Sequence, residues 1–201
     1  MFTGIIQDLG TLSAMNKGAH SIEFTVSPLS KTFLKDVNTG DSISINGACM
    51  TVEKSIEGQF TFTTISESLK KTNLGLLEMN DVVNLEKAMT LHSKLDGHIV
   101  QGHIDTTGNV CDIVINDNVR EYFIEFPAAF RNNVIPVGSI AINGVSLTIA
   151  EIINETQESV RIKVAIIPHT FEVTNFKKLV KNDRVNIEFD LMGKYVLRRD
   201  T

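Results

Sequence analysis

Very little in this sequence could staple a fold or span a bilayer. Only two cysteines, Cys49 and Cys111, occur in 201 residues. They are too few for a disulfide framework, although the sequence leaves a single bridge between them open. Four prolines and 13 glycines exclude collagen-like and low-complexity chains. No apolar run approaches the ~18–20 residues of a membrane helix, and Met1-Phe2-Thr3-Gly4 has no basic segment ahead of a hydrophobic one. The expectation is a soluble, unprocessed chain in a reducing cytoplasm. Lysine and arginine form no cluster and the net charge is -5, which argues against nucleic acid, a partner that wants a basic stripe. With 42% hydrophobic residues the chain has enough apolar surface to fold.

Several catalytic signatures are missing too. There is no phosphate loop and no dinucleotide fingerprint. Ser146 lies in Asn143-Gly144-Val145-Ser146-Leu147-Thr148, without the glycine two residues later that a hydrolase elbow requires. His98 and His103, five apart, would face opposite sides of a strand, so they make a poor metal pair. A small-molecule site is the reading that survives.

What the sequence does contain is itself, twice. Ser42-Ile43-Ser44-Ile45-Asn46-Gly47-Ala48-Cys49-Met50-Thr51-Val52 aligns with Ser139-Ile140-Ala141-Ile142-Asn143-Gly144-Val145-Ser146-Leu147-Thr148-Ile149 at an offset of 97. Thr72-Asn73 and Asn84-Leu85-Glu86 match Thr174-Asn175 and Asn186-Ile187-Glu188 at an offset of 102. Gly4-Ile5-Ile6 and Gly10 match Gly102-His103-Ile104 and Gly108 at an offset of 98. A period this long gives each copy its own core. The expected joint falls around Lys87 to Gly97.

Within each copy apolar residues alternate, as in Ile22, Phe24, Val26 and in Val160, Ile162, Val164, Ile166. That is the period of half-buried antiparallel strands. An all-β fold of two tandem small barrels is expected, because about six short strands gain most by leaving no exposed edge. Short helices are expected around Ser30 to Val37, Thr72 to Leu77, Ala128 to Val134 and Asn175 to Val180, with a C-terminal helix over the last residues. Asn46-Gly47 and Asn143-Gly144 read as two-residue hairpin turns. Beyond them, Cys49 and Thr51 share one strand face, and Ser146 and Thr148 another. These pairs could grip a polyol or a heterocycle edge, or face solvent. The segment Gly97-His98-Ile99-Val100-Gln101-Gly102-His103-Ile104-Asp105 carries two Gly-His pairs, which let backbone approach a ligand with an imidazole beside it.

These residues, with Met1-Phe2-Thr3-Gly4-Ile5-Ile6, Ile167-Pro168-His169-Thr170 and Val185-Asn186-Ile187-Glu188, resemble riboflavin synthases of the two-barrel, alpha-chain type over the whole chain. The resemblance implies two Greek-key barrels, 1–97 and 98–190, each binding lumazine, and an oligomerisation helix at 191–201. It implies a cofactor-free and metal-free dismutation of two molecules of 6,7-dimethyl-8-ribityllumazine, and a homotrimer with each active site between barrels of different subunits. Association with lumazine synthase is a further implication. Proximity of two bound substrates would then supply much of the catalysis.

Carried onto matching positions, the first pocket is expected from Gly4, Ile5, Ile6, Ser42, Cys49, Met50, Thr51, Thr63, Thr64, Ile65, Ser66, Glu67 and Ser68. The second is expected from Gly102, His103, Ile104, Ser146, Leu147, Thr148, Ile167, Pro168, His169, Thr170, Phe171 and Glu172, with Val137 standing where many relatives carry lysine. Ala48 stands where some relatives have a second cysteine. The implied chemical groups are His103 for proton transfer, Ser146 and Thr148 beside the reacting ring, Cys49 from the other barrel, and Asp190. The alternative within the same superfamily is a non-catalytic lumazine or flavin carrier like the antenna proteins of luminous bacteria. Retention of the motifs in both copies favours the enzyme.

Overall fold

The computed structural model of the protein describes residues 1–199. The first copy contributes β1 (Asp8–Lys17), β2 (Ser21–Pro28), β3 (Ser42–Ile45), β4 (Ala48–Thr51), β5 (Lys54–Ile56), β6 (Gln59–Ile65) and β7 (Val82–Lys87). All neighbours pair antiparallel, in the order β4-β3-β7-β1-β2-β6-β5. The second contributes β8 (Thr106–Asn116), β9 (Val119–Pro127), β10 (Ser139–Ile142), β11 (Val145–Glu155), β12 (Ser159–Ile166) and β13 (Arg184–Phe189). These close into a barrel in the order β10-β11-β12-β9-β8-β13.

The two sheets have one topology, with a single difference. Where β11 runs on to pair with β12, the first copy breaks at Val52-Glu53 into β4 and β5, so its ladder is open there. Val52 turns fully inward, buried, and donates its N–H to Asp41 O at 2.8 Å. The equivalent bond in the second copy, Ile149 N to Gly138 O, is 2.9 Å, so the break follows an otherwise shared path.

Alternation puts the apolar side chains in two separate cores. One contains Leu12, Phe24, Ile43, Ile45, Phe62 and Leu85, with Phe24 and Phe62 stacked at 5.2 Å. The other contains Tyr122, Ile124, Ile142, Ile162, Phe176 and Ile187. The expected helices at Thr72, Ala128 and Asn175 are single 3₁₀ segments, Asn73–Leu76, Ala128–Asn133 and Asn175–Lys178. The stretch Ser30 to Val37 is a chain of turns around buried Phe33. Two six-residue helices went unread in the sequence, α1 (Ser66–Lys71) and α2 (Pro168–Val173). Pro168 opens α2 at a position where its missing N–H costs nothing. The C-terminal helix is α3 (Leu191–Arg199); 200 and 201 lie outside the described residues.

The barrels meet about an approximate two-fold axis. Asn46 and Asn143 adopt φ of 48° and 46°, and Gly47 and Gly144 follow at 84° and 78°, as a two-residue turn with both residues left-handed requires. The turns stack tip to tip: a Cβ on Gly47 would stand 2.7 Å from Gly144 N, and one on Gly144 2.7 Å from Gly47 N. Each turn asparagine accepts from the facing strand of its own barrel, Asn84 N to Asn46 Oδ1 at 2.9 Å and Asn186 N to Asn143 Oδ1 at 2.8 Å. The amides of Asn84 and Asn186 then cross the axis to Asn143 O and Asn46 O, at 2.9 and 2.8 Å. Buried amides left unpaired would cost ~1–3 kcal/mol each, so this reciprocal pairing fixes how the barrels sit.

Candidate active site

Two arms precede the barrels, residues 1–7 and 97–105, and they lie antiparallel across the axis. Phe2 N donates to Val100 O at 2.7 Å and Val100 N to Phe2 O at 3.0 Å. Phe2, Val100 and Ala141 form a small core of their own at this crossing. Because the arms pass each other here, each ends on the other copy's barrel. Ser146 N donates to Gly4 O at 2.8 Å, and Cys49 N donates to Gly102 O at 2.8 Å. Ile6 packs against the second core, as Leu147 and Phe171 do, whereas Ile104 packs against the first core, as Met50 does. The arms therefore meet the barrels opposite to the expected grouping: Gly4 and Ile6 lie on the Ser146 barrel and Gly102, His103 and Ile104 lie beside Cys49, whereas Ile5 is exposed on a groove with Gln7, Glu86 and Lys87.

Close approach demands glycine at both contacts. Gly4 and Gly102 have φ of 76° and 84°. A Cβ on Gly4 would stand 2.6 Å from Ser146 Cβ, and one on Gly102 2.5 Å from Cys49 Cβ. Each arm is pinned by a buried carboxylate. Glu86 Oε1 accepts from Thr3 N and Thr3 Oγ1, both at 2.7 Å, and its Oε2 accepts from Gly4 N at 3.0 Å. Glu188 accepts from Gln101 N at 2.6 Å, Gly102 N at 2.9 Å and His103 N at 3.0 Å. Burial raises the pKa of both carboxyls against the lowering effect of these donors.

On the first barrel a cavity of about 210 Å³ is lined by Cys49, Met50, Glu67, Ser68, Gly102, His103 and Ile104, among others. Thr64 is buried behind it, its hydroxyl 3.5 Å from Met50 Sδ. Other expected members lie away from this cavity. Thr63 bonds Glu53 at 3.0 Å, Ser66 bonds His20 O at 2.8 Å, and Ile65 is exposed. Ser42 pairs in register with exposed Thr51 and lines a different groove with Lys87 and Met89.

On the second barrel the centre is Ser146. His98 Nδ1 lies 2.7 Å from Ser146 Oγ, and a Cβ on Gly97 would stand 2.8 Å from Ser146 Cβ. Burial lowers the His98 pKa, with the Asp190 charge acting in the opposite direction. The ring is thus held neutral to lower pH than an ordinary histidine, and a neutral Nδ1 can take the hydroxyl proton. Among the described residues its buried Nε2 finds no hydrogen-bond partner. Thr148 pairs with Ser139 in register and is exposed. Ile167, Pro168, His169 and Glu172 are exposed around α2, while Thr170 and Phe171 are half-buried. The Arg120 guanidinium stacks 3.6 Å from the Phe171 ring. Val137 is 76% exposed at φ 62°. Asp190 caps α3, accepting from Met192 N at 3.0 Å.

A family model for the lumazine binding domain matches residues 3–88 and again 101–190. The riboflavin synthase of Actinobacillus pleuropneumoniae is 41% identical over 197 residues, covering 98% of this chain and 88% of that one. The chain belongs to the riboflavin synthase family. The riboflavin synthase of Bacillus subtilis (strain 168) is 37% identical over 198 residues, covering 98% of this chain and 89% of that one. Among solved structures, LumP complexed with 6,7-dimethyl-8-(1'-D-ribityl) lumazine has a TM-score of 0.82 at 26% identity, covering 94% of this chain and 98% of that one.

Within this family frame, sequence reasoning missed His98, Glu86 and Glu188 as site components. The signals were present: the first of two Gly-His pairs, and an Asn-x-Glu that recurs in both copies. Both cysteines are free thiols, which closes the question of a bridge. Among the described residues no group of three or more His, Cys, Asp or Glu side chains could hold a metal ion.

Proposed function

We propose that this chain converts two molecules of 6,7-dimethyl-8-ribityllumazine into riboflavin and 5-amino-6-ribitylamino-uracil by transfer of a four-carbon unit. The atoms of two substrates equal those of the two products, so no outside oxidant or reductant is consumed. The observation that carries this reading is the duplicated contact between arm and barrel. Each barrel (residues 1–97 and 98–190) presents a small polar side chain, Cys49 or Ser146, under a glycine of the crossing arm, in a chain 41% identical to a riboflavin synthase over 98% of its length.

The proposed division of labour takes its outline from the family resemblance, and the arrangement of Ser146, His98 and His103 supports it. Backbone groups of the arms read the pyrimidine edge, and nearby hydroxyls hold the ribityl chain. Ser146, hydrogen-bonded to a neutral His98, and His103 on the rim of the Cys49 cavity are the groups for moving a proton from the acidic 7-methyl carbon. Thr148 and Asp190 are polar neighbours at the second pocket. Proton transfer of this kind contributes ~10²–10⁴ in rate.

Assembly as a trimer is supported by α3, which leaves Met192 and Tyr195 each 70% exposed. A cytoplasmic location fits two unpaired thiols. Association with a lumazine synthase rests on the resemblance alone. Incubation with the lumazine while following riboflavin absorbance and fluorescence is the test. Growth of the riboflavin band is expected; saturable binding with no product would replace the enzyme by the carrier.

A further inference from the structure

The two buried carboxylates are on the wrong barrels for a local role. Glu86 belongs to β7 of the first sheet, yet the arm it grips ends on Ser146 of the second. Glu188 belongs to β13 of the second barrel, yet the arm it grips ends on Cys49 of the first. In each case consecutive backbone N–H groups converge on one carboxylate, and the carbonyl of the gripped glycine receives the N–H of the pocket residue. The lever is short: Gly102 donates to Glu188 Oε2 at 2.9 Å and accepts from Cys49 N at 2.8 Å. Gly4 donates to Glu86 Oε2 at 3.0 Å and accepts from Ser146 N at 2.8 Å.

We infer that Glu86 and Glu188 are positioning residues acting across the barrel boundary, each setting the arm that walls the lumazine pocket of the other barrel. That the walls enclose lumazine rests on the proposed function; the wiring of the arms does not. The consequence runs against locality. Loosening Glu188 disturbs the first barrel's pocket, and loosening Glu86 disturbs the second's. The arms hydrogen-bond each other at Phe2 and Val100, and beyond that crossing each is gripped by its own carboxylate.

Cys49 supplies a reporter. In a C111S chain it is the sole thiol, and its reaction with dithionitrobenzoate forms a mixed disulfide and releases one thionitrobenzoate, which absorbs visibly. With charge-assisted N–H bonds to Glu188 removed, E188Q is expected to raise the Cys49 reaction rate about ten-fold. E86Q, although on the same barrel as Cys49, is expected to leave it within about two-fold, since its arm ends elsewhere. Half-protection of Cys49 by 6,7-dimethyl-8-ribityllumazine should shift to higher concentration in E188Q and not in E86Q. Equal rates in E188Q and the parent, or an E86Q effect as large as that of E188Q, would overturn the inference. Absence of any lumazine protection in the parent would instead sink the pocket reading, while the ligand-free rates still judge Glu188. If E188Q does not fold, E188D, with a carboxylate too short to reach all three N–H groups, takes its place under the same criteria.

Discussion

A serine hydroxyl is a poor acid and a poor base until something beside it accepts its proton, and His98 is placed to do so at 2.7 Å from Ser146 Oγ. H98A is expected to lower kcat about a hundred-fold while lumazine affinity, read by fluorescence, changes little. Burial keeps the imidazole neutral below its ordinary value of 6.5, so the acid limb of the pH-rate profile should fall below that value; an acid limb above it would remove His98 from the proton path. Val137 tests a different residue-scale point. Its φ of 62° is a conformation β-branched residues avoid, and the matching position in the first copy is Gly40, at φ 93°. V137N, which tolerates that conformation, should stabilise the chain by ~0.5–1 kcal/mol in denaturant unfolding. Sequence alone marked Val137 only as a missing lysine; a positive φ is invisible until the backbone is known.

At the scale of elements, the strands were legible because each alternates against a core, and the duplication was legible because motifs keep their order. The exchange of arms was not. Aligning the copies says that Gly4 corresponds to Gly102, but not on which barrel either one lands. That is decided by a crossing at Phe2 and Val100 whose hydrogen bonds are all backbone, and backbone pairing leaves no residue-type signature. The six-residue helices α1 and α2 are likewise too short for a 3.6-residue period to show. The Asn-Gly turns were readable as hairpins, whereas their stacking at the axis was not. G144A is expected to cost ~2–4 kcal/mol, combining left-handed backbone strain with a Cβ pressed against Gly47 N. A loss under ~1 kcal/mol by denaturant unfolding would mean the turns do not set the barrel spacing.

For the whole molecule, two pockets on one chain make chemical sense only if two bound substrates meet. In the proposed trimer that meeting occurs between chains. The exposed face of α3 then matters. Y195D should shift sedimentation of the proposed trimer toward monomer and reduce turnover in parallel, because the first pocket would lose the second pocket of its neighbour. Full turnover by a stable monomer would contradict the shared site. The product balance tests the proposed dismutation. Purified protein is incubated with 6,7-dimethyl-8-ribityllumazine alone, and all three compounds are quantified over time. Two lumazines are expected to disappear for each riboflavin formed, with one 5-amino-6-ribitylamino-uracil released. Lumazine bound tightly, one per chain, with neither product appearing would contradict it.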